Sequence, residues 1–168
     1  MKKQKLIHLA HGAMIAAIYA AATYLSAIFG IAYGNIQFRF SEVLTILSVF
    51  TPAAVPGLTV GCIIGNLSSP FGIWDIVFGS LATLLAAVTA RALRNIRIKG
   101  FPVFSLLMPV IFNAVIVGTE IIFLMPAQEA SLTAFAISAL EVGAGELAVC
   151  LAGGIPLFYA IKKANIFY

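Results

Sequence analysis

Apolar runs follow one another along nearly the whole chain, and no charge-rich stretch between them is long enough to fold by itself. A membrane span needs about 20 apolar residues, so five to seven spans would consume most of the 168 residues. Only 10% of the residues are charged and 62% are hydrophobic, against about 25% charged in ordinary globular domains. A soluble fold this small could not hide so much apolar surface, whereas lipid accepts it. The expected fold class is therefore all-α: a single polytopic membrane domain over residues 1–168, embedded in a lipid bilayer.

The spacing predicts a first span from about Leu9 to Phe29. Lys2, Lys3 and Lys5 ahead of it resemble a signal peptide, but the run is long enough to span and more spans follow, so a retained helix is expected. A polar-aromatic connection from Tyr33 to Ser41 carries Asn35, Gln37 and Arg39. Two shorter apolar segments follow, from about Glu42 to Ala54 and Pro56 to Leu67, separated by Pro52, Pro56 and Gly57. At 1.5 Å per residue neither crosses a core of about 30 Å, so both should pack within protein or stop short of one surface. After a turn at Ser68 to Gly72 come spans from about Ile73 to Ala90, Phe101 to Met125 and Leu132 to Ile161.

Nine of the ten Lys and Arg fall in three clusters: Lys2, Lys3 and Lys5; Arg91, Arg94, Arg97 and Lys99; Lys162 and Lys163. The positive-inside rule places all three in the cytoplasm, with both termini. Four crossings before the middle cluster and two after it satisfy that rule. Arg39 is the exception and falls on the outer side. Because the basic residues sit at span ends, the net charge of +4 does not indicate nucleic acid. Cys62 and Cys150 lie inside apolar runs and read as reduced, buried small hydrophobes; neither a disulfide nor a metal site is expected.

With this topology, Arg39, Glu42, Asn66, Trp74, Asp75, Asn113, Glu120 and Glu141 come from separate segments and mostly fall in one outer layer. Ionisable groups within spans are costly and normally face a cavity or a partner, so they are the candidate solute-binding residues. Carboxylates accept paired N–H donors and ammonium groups. Trp74, Phe38, Phe40 and Phe71 suit stacking on a flat ring. Plainer roles exist for several of them. Arg39 and Glu42 are three apart and suit an ion pair, Asp75 suits the first turn of its helix, and Trp74 suits an interfacial anchor. Glu120 and Glu141 have no basic neighbour in sequence. Glu146 lies deeper, about 140° around the helix from Glu141, facing another cavity wall or a neighbouring helix.

Ala13, Ala17 and Ala21 recur every fourth residue, as do Gly57, Gly61 and Gly65; Gly79, Thr83, Ala86 and Ala90 form a third small face. Such faces let helices approach closely in lipid. The glycines suit packing within the chain, and the alanine face suits either that or an external partner. GxxxxGK[ST], HExxH and GxSxG motifs are absent, so no enzymatic activity and no bound cofactor are expected. His8 and His11 read as interfacial.

The blocks Gly34-Asn-Ile-Gln-Phe-Arg-Phe-Ser-Glu-Val-Leu-Thr, Phe50-Thr-Pro-Ala-Ala-Val-Pro-Gly57 and Trp74-Asp-Ile-Val-Phe-Gly-Ser-Leu-Ala-Thr-Leu resemble the QueT family. So do Phe112-Asn-Ala-Val-Ile-Val-Gly-Thr-Glu120 and Glu141-Val-Gly-Ala-Gly-Glu146. These proteins are substrate-specificity (S) components of energy-coupling factor (ECF) transporters, assigned to queuosine precursors. The resemblance implies a six-helix bundle binding a deazaguanine base near the outer face, under the loop between its first two helices. It implies docking through an AxxxA pattern, matched by Ala13 and Ala17, onto a transmembrane coupling subunit carrying ATPase subunits that use the ATP. Reorientation of the whole S component would then deliver the solute inward. Alternatives are an S component for another vitamin or purine-like solute, an autonomous carrier or channel, and a membrane enzyme or assembly subunit.

Overall fold

The computed structural model describes residues 2–34, 36–164 and 166, and its described residues form helices and connections with no strand beyond one isolated bridge, Ile98 to Phe101. Asn35 lies outside the described residues. The helices are α1 (Lys2–Ile28), a 3₁₀ helix (Phe40–Val49), α2 (Ala54–Asn66), α3 (Ile73–Ala92), α4 (Val103–Leu124) and α5 (Leu132–Val149). A π turn (Cys150–Gly154) joins α5 to α6 (Ile155–Ala164). Four segments are long and apolar enough to cross a membrane: α1, α3, α4 and the continuous stretch Leu132–Ala164. The 3₁₀ helix and α2 are shorter apolar helices, in line with the two short segments expected from sequence.

The first of those short segments is housed inside the bundle, while α2 turns Val60, Ile63 and Ile64 outward. Within the 3₁₀ helix, Ser41, Glu42, Thr45, Ile46, Leu47, Ser48 and Val49 are all buried. A 3₁₀ helix rises about 2.0 Å per residue instead of 1.5 Å, so ten residues reach about 20 Å rather than 15 Å. Runs this long are uncommon because the hydrogen-bond geometry is poorer. Here neighbouring side chains hold the run. The Phe40 N–H donates to Ser26 Oγ at 3.0 Å, Thr23 Oγ1 donates to Ser41 Oγ at 2.9 Å, and Tyr19 Oη donates to Glu42. Three residues per turn also bring Thr45 over Glu42, to which it donates at 3.1 Å.

The glycines of α2 allow it to lie directly on α1. A Cβ at Gly57 would stand 2.7 Å from the Gly12 carbonyl oxygen, one at Gly61 2.7 Å from Tyr19 Cβ, and one at Gly65 2.9 Å from Thr23 Cβ. Both partners ascend together, so α2 runs parallel to α1 and the 3₁₀ helix is the return limb between them. On α3, Gly79, Thr83, Ala86 and Ala90 are buried while Val77, Leu81, Leu85 and Val88 face outward. An apolar coat of this kind is what lipid requires, and polar groups are turned to the interior.

One end of the bundle gathers the basic clusters. His8, His11, Phe50, Pro52 and Ile166 line a common recess there, and Arg91 Nη1 donates to the Ser48 carbonyl at 3.1 Å. Phe50, Phe101, Phe158 and Tyr159 pack nearby, with Phe101 edge-on to Phe158 at 4.9 Å between centroids. Cys62 and Cys150 are buried and unbridged. Gly61→Ala should separate α1 from α2 and lower the melting temperature in detergent, with a cost of about 1–3 kcal/mol. Gly143→Ala is the comparison, since its Cβ would meet Ala114 Cβ at an ordinary 3.4 Å. Equal melting of Gly61→Ala and the parent chain would refute this account of the helix pair.

Candidate functional site

The connection after α1 folds back into the bundle. Gly30 and Gly34 take positive φ values of 70° and 145°, which turn the chain inward. Phe38 N–H donates to the Ile31 carbonyl at 2.8 Å, and Gln37 Nε2 donates to the Gly34 carbonyl at 3.0 Å. The backbone of Gln37 then presses on α5 at Gly145, where an added Cβ would stand 2.2 Å from the Gln37 carbonyl oxygen. This docking carries Arg39 to full burial, at 0% exposure.

The guanidinium of Arg39 enters a gap between α2 and α3. Its Nη2 donates to Asn66 Oδ1, and Asn66 Nδ2 donates in turn to the Asp75 carbonyl at 2.8 Å. Gly79 leaves the room, since a Cβ there would lie 2.6 Å from Asn66 Nδ2 and 3.5 Å from Arg39 Nη1. The guanidinium carbon sits 6.0 Å from the Tyr33 ring centroid, a distance at which the ring face attracts a cation. Arg39 Nε and Nη1 have no hydrogen-bond partner. Burial also pushes the Tyr33 phenol above its ordinary pKa, and its hydroxyl donates to the Gly65 carbonyl at 2.9 Å.

Beside this anchor lies a cavity of about 180 Å³ lined by Gly34, Gln37, Phe71, Asp75, Val117, Glu120, Ile121, Leu124 and Met125. Asp75 and Glu120 are its charged members, and both are buried. Asp75 sits in the first turn of α3 and accepts from Ser69 Oγ at 2.5 Å. Neither oxygen of Glu120 meets a donor. The polar side chain within its reach is Asp75, another acceptor. A second polar layer lies around Glu42, which accepts from Tyr19 and Thr45 and lies 3.4 Å from Thr83 Oγ1. Glu146 is fully buried with both oxygens unpartnered, and the charges of Glu42 and Arg39 act on it. Leaving a buried polar group unpaired costs about 1–3 kcal/mol, and more for a charge. Native proteins keep few such groups, and each calls for a reason.

Six of the expected site residues are buried: Arg39, Glu42, Asn66, Asp75, Asn113 and Glu120. Asp75 and Glu120 meet at the cavity, with Arg39 and Asn66 tied together behind Asp75. Asn113 lies two turns before Glu120 on α4, with neither side-chain polar atom partnered. Arg39 and Glu42 do not form the simple pair that their spacing allows, because Arg39 is committed to Asn66 and Glu42 to Tyr19 and Thr45. Trp74 is turned outward at 49% exposure, its ring 6.2 Å from that of Phe78, and does not line the cavity. Glu141 is half-buried and also absent from the cavity wall. Of the four aromatics suited to stacking, Phe71 lines the cavity; Phe38 and Phe40 line a separate apolar recess with Val43 and Val149.

Gln37, which lines the cavity, is an addition to the expected set, while Glu146, expected to face another cavity wall or a neighbouring helix, is fully buried. Glu146 carried the signal in sequence, an acid inside an apolar span, while Gln37 gave none beyond its place in a polar loop. Ala13, Ala17 and Ala21 lie on the exposed side of α1, and Ala16 and Ala20 on the buried side. Ala13 lines a shallow groove between α1 and α2 with Leu9, Gly12, Pro56, Gly57 and Val60.

The profile of the QueT transporter family matches residues 9–163. The protein named queuosine precursor transporter QueT from Lactococcus lactis subsp. cremoris (strain MG1363) is 38% identical over 85 residues. That alignment covers 51% of this chain and 50% of the relative, about half the length of each. No solved structure matches the chain. The family match extends over the buried acids, the inward-folded loop and every helix of the bundle, and the chain belongs to the QueT transporter family.

Proposed function

We propose that this chain is the solute-capturing S component of an ATP-driven ECF importer, and that its solute is a queuosine precursor of the deazaguanine class. The family is one of transporters rather than enzymes, and the relative's name specifies a queuosine precursor. The observation that carries the reading is the cavity at Asp75 and Glu120. A cavity of about 180 Å³ is small beside the roughly 300–1,000 Å³ of drug-sized sites, which suits a single compact base. Phe71, Val117, Ile121, Leu124 and Met125 offer apolar walls to a flat ring, and the carboxylates accept its N–H groups.

In this reading the loop carrying Gly34 and Gln37 covers the solute on the outer side. The termini and the three basic clusters face the cytoplasm. A transmembrane coupling subunit with its ATPases packs on the exposed Ala13, Ala17 and Ala21 face, where small side chains permit close contact in lipid. Those partners use the ATP, and this chain holds no cofactor of its own.

Glu120→Gln in the purified chain should weaken calorimetric binding of a 7-deazaguanine base by about 1.5–3 kcal/mol, the worth of a hydrogen bond to a charged group. Unchanged affinity would remove this cavity as the binding site. Ala17→Arg should abolish co-purification with coupling and ATPase subunits while solute still binds. Solute uptake by vesicles containing this chain alone would instead establish an autonomous carrier.

A further inference from the structure

We infer that the recess at the basic end of the bundle is a seat for the headgroup of an anionic phospholipid. It lies at the opposite end from the Asp75–Glu120 cavity, and the inference holds whether or not that cavity takes a deazaguanine base. α1 begins at the basic end, α3 finishes there, α4 starts back from it and α6 runs into it. Nine of the ten Lys and Arg therefore gather there. All six acidic side chains lie elsewhere. Glu42, Asp75, Glu120 and Glu146 are buried, Glu141 stands in the third turn of α5, and Glu129 sits in the connection between α4 and α5 at the far end. No acid of the chain answers this charge, and the bilayer surface beside it carries phosphates.

The recess offers a shape for one of those phosphates. It holds about 430 Å³, and its polar wall is His8, His11 and Thr51. His8 and His11 stand three apart on α1, so both rings reach the same side. His8 Nδ1 lies 2.8 Å from the Gln4 carbonyl oxygen, which orients that ring. Thr51 is buried, at 4% exposure; its Oγ1 accepts the Ala53 N–H at 3.3 Å and keeps the hydroxyl proton for an acceptor in the recess. Lys5 lies one turn before His8 on the same face, and Lys162 and Lys163 close α6 just ahead of Ile166 in the lining. Ile7, Phe50 and Ile166 form the apolar part. A phospholipid needs both parts: donors and a positive field for the phosphate, and an apolar ledge for the glycerol and first methylenes. A free ion needs only the first. Basic pockets between membrane helices are where acidic headgroups settle. The lysine stems lie along such a ledge while their ammonium groups stay at headgroup level.

The test is calorimetry on the full chain, delipidated in a neutral maltoside detergent, with dioctanoyl phosphatidylglycerol, dioctanoyl phosphatidylcholine and inorganic phosphate as the three probes. The anionic lipid should bind about tenfold tighter or more than the zwitterionic one, since several basic groups act on its net charge. Ile7 lines the recess and is 44% exposed, so its replacement leaves the packing in place. Ile7→Glu should weaken the anionic lipid about fivefold and Ile7→Lys should strengthen it about fivefold, with phosphatidylcholine moved little by either. Arg97→Gln removes a charge of the same end from outside the lining and should change binding by less than about twofold. Melting curves without lipid show that each variant is folded. Equal affinity for the two lipids would overturn the seat, as would Ile7→Glu and Ile7→Lys shifting affinity in one direction or not at all. A loss at Arg97→Gln as large as that at Ile7→Glu would overturn it in favour of diffuse attraction. Inorganic phosphate binding as tightly as phosphatidylglycerol would overturn it in favour of a free-ion site.

Discussion

A guanidinium held inside a membrane bundle is among the most expensive groups a fold can retain, and the position of Arg39 organises much that surrounds it. Its burial is possible only because the connection after α1 turns inward through Gly30 and Gly34 and rests on Gly145. Once inside, the guanidinium bonds Asn66 at the end of α2, and Asn66 bonds the Asp75 carbonyl at the start of α3. Three segments are thereby tied near the mouth of the cavity. The positive charge also tempers the field of the acids, since Asp75 and Glu42 both act on it. Removing one partner from such an arrangement leaves an uncompensated charge, which costs more than the pair contributed.

Close helix approach is the second condition. Lipid gives little hydrophobic drive for helices to associate, so contact and hydrogen bonding must hold them. Gly57, Gly61 and Gly65 let α2 touch the α1 backbone, and Gly79 leaves space for Asn66. The buried 3₁₀ helix packs against α1 and delivers Glu42 to Tyr19. Gly153 and Gly154 allow close approach at the π turn, where added Cβ atoms would strike Val43 and Leu106 at 2.5 Å. Packing of small residues and placement of polar side chains are thus one problem with one solution.

Much of this was legible in the sequence because hydropathy in a membrane chain is a strong signal. The boundaries expected for α3, at Ile73, and for the last stretch, at Leu132, coincide with those observed. The glycine face on α2 was readable from its four-residue period. Less was readable where a loop re-enters the protein. Position in sequence placed Arg39 on the outer side, but packing of Gln37 on Gly145, a contact between residues far apart in the chain, goes with its full burial. The same limit affected the acids of α5: both stand alone in an apolar run, and only the rotation of the helix decides that Glu146 is buried and Glu141 half-buried. Trp74 and Asp75 are adjacent, yet successive helix positions diverge by about 100°, so one meets the cavity and the other the outside.

The distribution of polarity bears on how such a chain could move. A body that reorients in lipid must present no charge to the acyl chains at any tilt, since the cost at the bilayer centre is several kcal/mol per group. Every acid within the long helices except Glu141 is buried, and the outward positions of α3 are Val77, Leu81, Leu85 and Val88. The basic residues of the middle connection are held close to the end of α3, with Arg94 Nη1 bonded to the Arg91 carbonyl at 2.9 Å. A bundle with its charges, Glu141 apart, turned inward or gathered at one end pays the polar cost of folding once, within its own interior. Tilting such a bundle exchanges one apolar surface for another, which is what the proposed S-component function would require.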